Sequence, residues 1–387
     1  MADVYLDNAA TTPLVPSVLQ CMTDALARVY GNPSSVHRKG LEAERAVSGA
    51  RRQVAQALGA EPGDVIFTSG GTEANGLAIL GAARARQRRR RHIITGKTEH
   101  SSVLNACRLL EEEGFAVTYV PVDKNGRITA ADVLAHLRDD TALVSLMWVN
   151  NELGTVHPVA DIAAAVKARS PETLVHVDGV QALGKLPINV KELPIDLLSV
   201  SAHKIHGPKG VGALWIRPGV RIVSLLGGGT QERGLRPGTE NVPGIIGFGA
   251  AAEAAAADLP QAAARMARLR ERLWEGIQAR VPWAVRNTPA DPDLCAPHIL
   301  NVSFPGLKGE VLVHSLAEAG IYVSTGSACS SRRTGHSHVL TALGLADDVA
   351  GGALRLSLSR LTTEEDVDTA AAHIGTVAVE LAELVRG

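Results

Sequence analysis

The chain has 387 residues, more than one ordinary domain needs, which predicts one large core with a smaller second domain beside it. Hydrophobic residues make up 45% and charged residues 20%, which excludes disordered, collagen-like and coiled-coil chains. With 39 Lys and Arg against 40 Asp and Glu, the formal net charge of -1 gives no global pull toward nucleic acid or an anionic membrane.

The N-terminus reads MADVYLDNAATT, without a basic start leading into an apolar run, and no later uncharged apolar stretch is long enough to span a bilayer. Neither secretion by a standard signal nor membrane insertion is expected. Cys21 falls in the helical PSVLQCMTDALARV and Cys107 in SSVLNACRLLEEEG, which ends in a stop-like Gly114; both thiols are expected to be buried as small hydrophobes. Cys295 lies near Pro292 and Pro297 and Cys329 far beyond, with no C-x-x-C pair, so neither a disulfide framework nor structural zinc is expected and a reducing cytoplasm fits. The arginine run at 88 to 91 has no interleaved aromatic residues to stack bases and reads as a solvated helix end or turn.

From about residue 50 to 225 short apolar runs alternate with amphipathic helical stretches. The runs are VIF (65 to 67), HIIT (92 to 95), AVTYV (116 to 120), ALVSLMWV (142 to 149), LVHVD (174 to 178), DLLSVS (196 to 201) and GALWI (212 to 216). Such alternation predicts an α/β fold, a mostly parallel central sheet with helices on both faces. Near residue 250 the texture becomes rich in Ala and Arg, as expected of a helix that bends around Pro260. ILNVSF, a polar loop around Cys329, ALRLSLS and a helix from 364 to 385 then predict a smaller α+β C-terminal domain. The division expected is 15 to 255 for the large domain, with 1 to 14 and 256 to 387 forming the small one that carries the cysteine loop.

Ligands of parallel sheets gather at the carboxyl ends of the strands, and here five consecutive ends are polar. They are Thr68 to Glu73, Glu99 and His100, Asn150 to Glu152, Asp178, and Ser201 to Lys204. In the first, the paired Gly70 and Gly71 let backbone N–H groups approach an anion, and Thr72 opens a helix whose N-terminus favours negative charge. The spacing matches neither G-x-x-x-x-G-K-[ST] nor G-x-G-x-x-G, which argues against ATP and NAD. A phosphate seat, a lysine able to form a Schiff base (Lys204) and a carboxylate able to keep a pyridine nitrogen protonated (Asp178) together suggest pyridoxal 5'-phosphate.

YLDNAATT, GNPSSVH, FTSGGTEAN, EH at 99 and 100, VNNELGTVHP, VDGVQ, SAHKIHGPKGVG, RPGTEN and STGSACSS resemble, in order and over nearly the whole chain, the signatures of cysteine desulfurases. The resemblance is to the group I, NifS/IscS-like branch of the class V aminotransferase family, since the cysteine loop lacks the R-x-G-H-x-C pattern of the other branch. It implies a PLP-dependent transferase fold of type I. It further implies that Lys204 binds the cofactor aldehyde, that Asp178 pairs the pyridine nitrogen, that Gln181 hydrogen-bonds the phenolic oxygen and that His100 stacks on the ring and, as a catalytic residue, relays protons. Gly71, Thr72, Ser201 and His203 would hold the phosphate, joined by Thr239 from the partner subunit of a homodimer. Asn151 and Arg355 would bind the substrate carboxylate, a task suited to the arginine fork. His206 matches the motif and is read as structural.

The activity so implied converts L-cysteine to L-alanine: Lys204 removes the α proton and the Cys329 thiolate takes the sulfur as a persulfide. A sulfur-acceptor protein would then receive it, such as an iron-sulfur scaffold or a thiolation protein. The chain departs from many relatives after the cysteine, where SSRRTGHSHVL makes the loop basic through Arg332, Arg333, His336 and His338. That basicity reads either as a lowered Cys329 pKa or acidic-acceptor docking patch, or as neutral variation; no metal is assigned to His336-x-His338. The stop at Gly387, without the long tail by which some relatives engage the scaffold, leaves the acceptor open. Two rivals remain: another class V PLP reaction, such as a selenocysteine lyase or aminotransferase, and a non-catalytic binding module.

Overall fold

A computed structural model of the protein describes residues 3 to 326 and 337 to 386. The chain opens with β1 (Val4–Tyr5), α1 (Pro16–Arg28) and α2 (Arg38–Leu58). Strands and helices then alternate as β2 (Val65–Thr68), α3 (Gly71–Arg86), β3 (His92–Gly96), α4 (Ser101–Glu112), β4 (Ala116–Val120), α5 (Ala130–Leu134), β5 (Thr141–Met147), α6 (Val159–Arg169), β6 (Leu174–Asp178), β7 (Leu197–Ser201) and β8 (Gly212–Ile216). After α7 (Val242–Ala257) and α8 (Leu259–Arg280) come β9 (Val285–Arg286), β10 (Ile299–Ser303), α9 (Gly309–Glu318), β11 (Ile321–Tyr322), α10 (His338–Ala342), α11 (Asp347–Gly351), β12 (Ala353–Ser357) and α12 (Glu364–Arg386).

Among the described residues seven strands form one sheet in the order β2-β8-β7-β6-β5-β3-β4. Only β8 runs against its neighbours; every other pairing is parallel. The apolar runs read from the sequence are these strands. Alternate residues serve opposite faces, so Leu143, Leu197 and Leu214 pack on the α3 and α4 side while Val144, Leu198 and Trp215 pack on the other. Because β2, β3, β5, β6 and β7 share one direction, their polar carboxyl ends leave the sheet along the same edge.

On the second face α2 buries Ala43, Val47, Ala50, Val54 and Leu58, a three-and-four spacing that ends at Gly59 in the left-handed region (φ 65°). Helix α7, apolar except for Glu253, lies against α1 and α2, where a Cβ on Gly249 would come within 2.7 Å of the Ala50 Cα. The turn from α7 into α8 is a bend of 76°. It falls at Asp258, and Pro260 sits in the first turn of α8, where a missing N–H costs little. No single helix among the described residues is long and apolar enough to cross a membrane.

A separate apolar cluster joins Leu6, Leu273, Leu300, Phe304, Leu356 and Ile374. It lies around β12-β10-β9, an antiparallel sheet, and β1, from the other end of the chain, pairs with β11 beside it. The expected burial of Cys21 is corrected: α1 buries only the stripe Val18 and Ala25, flanked by half-buried Met22, and the thiol one position away is exposed. Cys107 is buried under the sheet, which pushes its thiol up to about 12, and the buried Cys295 Sγ donates to Asp291 O at 3.3 Å. The arginine run is a solvated turn at Arg88 and Arg89, while Arg90 turns back to the Thr141 carbonyl and Glu172.

Buried histidines link the strands. His176 in β6 meets Ser145 Oγ of β5 at 2.8 Å and Ser199 Oγ of β7 at 2.9 Å. His92 in β3 meets Thr141 Oγ1 and Thr118 Oγ1 in the same way, at 2.8 and 2.9 Å. Burial lowers His176 to about 3 and His92 and His157 to about 4. Below the ordinary histidine pKa the unfolded chain therefore binds protons that the folded chain refuses. Stability should fall as pH drops from 6.5 toward 4, by about 1.4 kcal/mol per pH unit for each such histidine at the acid end. Urea unfolding at pH 7 and pH 5 checks this, with a lower midpoint expected at pH 5 and a flatter dependence in His176→Asn; equal midpoints in the parent would contradict it.

Candidate active site

The polar strand ends meet in an open cavity of about 250 Å³. Of the residues singled out from the sequence, Gly71, Thr72, His100, Asn151, Asp178, Gln181, His203, Lys204 and Arg355 line it. Ser201 lies directly behind the wall, its Cβ 3.6 Å from where a methyl group on Gly71 would sit. Thr239 is exposed and does not line the cavity. Cys329 lies outside the described residues.

Each side chain is placed by an identifiable local cause. Gly70 adopts φ 154°, a region that favours glycine, and a Cβ on Gly71 would come within 2.7 Å of Val180, so the turn from β2 into α3 admits no larger residue at either position. Ser69 N donates to Glu73 Oε2 at 2.6 Å, and Arg236 holds the other carboxylate oxygen at 3.0 Å, which closes the first turn of α3. Asp178 ends β6 almost fully buried; its oxygens accept from Val180 N at 3.0 Å and from Asn75 Nδ2 at 2.7 Å. The same Asn75 amide donates to Ser102 Oγ at 2.9 Å, and Ser102 Oγ lies 2.8 Å from His100 Nδ1. His100 Nδ1 also accepts from Ser102 N and so caps α4, which leaves Nε2 as the protonated nitrogen of the neutral ring.

The N-terminal segment crosses the site. Lys204 Nζ donates to the carbonyls of Ala9 and Ala10 at 2.5 and 2.6 Å, and Gln181 Nε2 donates to Ala9 O at 2.9 Å. Thr11 Oγ1 lies 3.2 Å from His203 Nδ1, and Thr12 N and Oγ1 both donate to His203 O at 2.9 Å. His206 has φ 65° and holds Pro13 O through Nδ1 at 2.8 Å, which is how the segment is tied down past the lysine. On the far side Arg355 Nη2 donates to Asp7 Oδ1 at 2.8 Å and Nη1 to Asn151 O at 3.0 Å, while Nε is buried without a partner among the described residues.

Burial lowers both histidines of the cavity. His203 falls to about 4, helped by the charges of Lys204 and Lys209, and His100 falls although Asp178 opposes the shift. Both rings are neutral at pH 7. Behind His100, Glu99 is wholly buried, accepts Met147 N at 3.0 Å and has its carboxyl raised well above the usual range. Glu152, next to Asn151, accepts Ser337 Oγ at 2.5 Å and lies against Gly326, so both described residues that flank the cysteine segment meet this carboxyl.

The sequence reading missed Asn75, Ser102, Asp7 and the Ala9–Ala10 carbonyls. Asn75 carried a signal, an amide on a helix whose neighbours Ala74, Leu77 and Ala78 are all apolar; backbone carbonyls carry none. The set fits pyridoxal 5'-phosphate on a specific observation: the Ser201 hydroxyl is fully buried, has no partner among the described residues and lies beside the free N–H groups at the start of α3. Those groups would hold the phosphate, Asp178 the ring nitrogen and Lys204 the aldehyde carbon. No group of three or more metal-ligating side chains occurs among the described residues.

Comparison with known proteins agrees with this geometry. The family model described as aminotransferase class-V matches residues 4 to 369. A cysteine desulfurase IscS from Methanosarcina thermophila is 47% identical over 365 residues, covering 94% of this chain and 89% of that protein. A solved structure described as a NifS-like protein superposes with a TM-score of 0.91 at 42% identity, covering 98% of this chain and 100% of that one. A second, described as SspA in complex with cysteine, gives a TM-score of 0.81 at 37% identity over 93% of this chain and 99% of that one.

The unpaired Ser201 hydroxyl yields a prediction of opposite signs. Ser201→Ala removes no hydrogen bond from the cofactor-free protein and relieves a buried polar atom, so its melting temperature should be equal or higher. Affinity for pyridoxal 5'-phosphate, titrated by fluorescence, should fall about tenfold. A variant that melts lower and binds as well as the parent would remove Ser201 from the phosphate site.

Proposed function

This chain belongs to the class V aminotransferase family, and we propose that its cavity performs the cysteine desulfurase reaction with Lys204 as the base and Cys329 as the sulfur acceptor. It is a pyridoxal 5'-phosphate enzyme that converts L-cysteine to L-alanine. The observation that carries the residue assignment is convergence: the ends of β2, β3, β6 and β7 and the middle of β12 each deliver a polar side chain to one cavity. When bound, the cofactor supplies an electron sink conjugated to the substrate Cα.

The protein's own residues then divide the work. Arg355, fixed by Asp7 and Asn151, offers its remaining N–H groups to the substrate carboxylate and so orients the Cα–H bond. Lys204, its amine released from the Ala9 and Ala10 carbonyls, takes the α proton. Asp178, held by Asn75 and Val180, keeps a negative charge where the pyridine nitrogen needs it. His100 is neutral with its proton on Nε2, able to donate that proton or to stack. Cys329 as thiolate attacks the substrate sulfur; the Cβ–S bond breaks, an S–S bond forms, and L-cysteine plus the Cys329 thiol become L-alanine plus a Cys329 persulfide with no external oxidant.

The division into residues 15 to 255 and residues 1 to 14 with 256 to 387 is supported by the separate apolar clusters. A homodimer in which the partner copy supplies Thr239 is supported by the exposure of this residue away from its own cavity. The sulfur then passes to an acceptor protein, for which the basic residues after Cys329 suit an acidic docking face. Free Cys107 and Cys295 support a reducing, cytoplasmic setting.

Incubation of the cofactor-loaded protein with L-cysteine should yield alanine together with enzyme-bound persulfide. Lys204→Ala should lower alanine formation at least about a thousandfold, as expected when a nucleophile and base are removed together, and Cys329→Ser should keep the cofactor but form no persulfide. Normal persulfide in Cys329→Ser would move the sulfur acceptor elsewhere, and undiminished alanine in that variant would favour a lyase reaction that needs no cysteine nucleophile.

A further inference from the structure

Gln181 is held at both ends. Its Nε2 donates to Ala9 O at 2.9 Å, and its Oε1 lies 3.1 Å from Nε2 of His298, a contact that joins residues 117 positions apart. A backbone carbonyl only accepts, so the amide nitrogen must face Ala9 and the amide oxygen must face His298. An amide oxygen also only accepts, so the imidazole carries its proton on Nε2. His298 is fully buried among the charges of Lys185, Arg270, Arg355 and Lys204, which together with burial hold it well below the ordinary histidine range. A neutral ring is the form this contact requires.

The backbone of His298 is itself fixed. His298 immediately precedes β10, and its carbonyl accepts Leu358 N at 2.8 Å, which extends the β10 and β12 ladder by one rung. The ring therefore projects from the small antiparallel sheet onto a residue that follows β6 of the large one. Its Nδ1 has no partner among the described residues, so Gln181 is the one side-chain bond seen for this ring there.

We propose that His298 is a positioning residue that locks the Gln181 amide so that its second N–H remains a donor into the cofactor cavity. The proposal rests on the role given to Gln181 toward the phenolic oxygen of pyridoxal 5'-phosphate. Rotation of the amide by half a turn would set its oxygen against the Ala9 carbonyl and withdraw the donor from the cavity. Without His298 the amide oxygen becomes a buried acceptor that has lost its donor, and only the Ala9 carbonyl is left to hold the amide.

The test reads the bound cofactor and not turnover. A hydrogen bond donated to the phenolic oxygen favours its deprotonated form, so the pH midpoint of the visible absorbance change should rise in His298→Leu and His298→Ala by about half a unit. Equilibrium dialysis should show pyridoxal 5'-phosphate held about threefold to tenfold less tightly by these variants. His298→Asn, which keeps a side-chain donor, should recover most of both changes, and in a Gln181→Ala background the leucine substitution should add nothing. Two truncations are used so that misfolding of one, judged by melting of the cofactor-free protein, leaves the other. Folded truncations with the parent midpoint and affinity would overturn the proposal, as would an equal shift in the Gln181→Ala background. A parent midpoint in Gln181→Ala itself would instead overturn the assignment of Gln181, and the proposal with it.

Discussion

The carbonyls of Ala9 and Ala10 receive the ammonium of Lys204, and the site is arranged around the strap that carries them. Residues 7 to 13 run between the small and the large sheet and make hydrogen bonds to both sides. Toward the small sheet, Asn8 Nδ2 and Ala9 N donate to Ser357, and Asp7 pairs with Arg355; toward the large sheet, Ala9, Thr11, Thr12 and Pro13 engage Gln181, His203 and His206. A strap in this place cannot pair as a regular strand with either sheet. The N–H groups of Asn8, Ala10, Thr11 and Thr12 reach backbone carbonyls, and the carbonyls of Ala9 and Ala10 accept from the cavity side chains Gln181 and Lys204. Catalytic alignment and chain satisfaction are one requirement here.

The sheet imposes a second constraint. Parallel strands buried on both faces have no place for charge except at their ends, and those ends open along a single edge. Once polar groups gather there, each needs a partner, and the structure supplies it from neighbouring elements. Asn75 on α3 serves Asp178 and Ser102 with one amide, and Ser102 in turn fixes the tautomer of His100. The Ser201 hydroxyl is one of the buried polar atoms that have no partner among the described residues. Burial also keeps the histidines neutral, so they orient neighbours without adding positive charge to a cavity already holding Lys204 and Arg355.

Much of this was legible in the chain itself. Apolar runs bounded by polar ends gave strands within a residue or two, and Gly70-Gly71 before an apolar run gave the helix start, because both patterns are local consequences of burial and φ. Cys21 was misread for the same reason: a helical pattern predicts a buried stripe but not its width, and α1 buries only a narrow one. His298 escaped notice because a lone imidazole has no pattern, and the apolar neighbours of Asn75 signal its burial but not its partners. Their meaning lies in Asp178, Ser102 and Gln181, which no spacing rule connects to them.

What the sequence by itself determined is therefore the class of fold, the edge at which chemistry gathers and the residue types present there. Those follow from hydrophobic period and turn chemistry, which act over a few residues. Only the tertiary structure decided that Asp7 would hold Arg355 across 348 positions, that Ala9 would receive Lys204 across 195 and that His298 would face Gln181. Periodicity records whether a side chain is buried. It does not record against what, because that choice is made when separate elements pack and each buried polar atom must find the particular partner within reach.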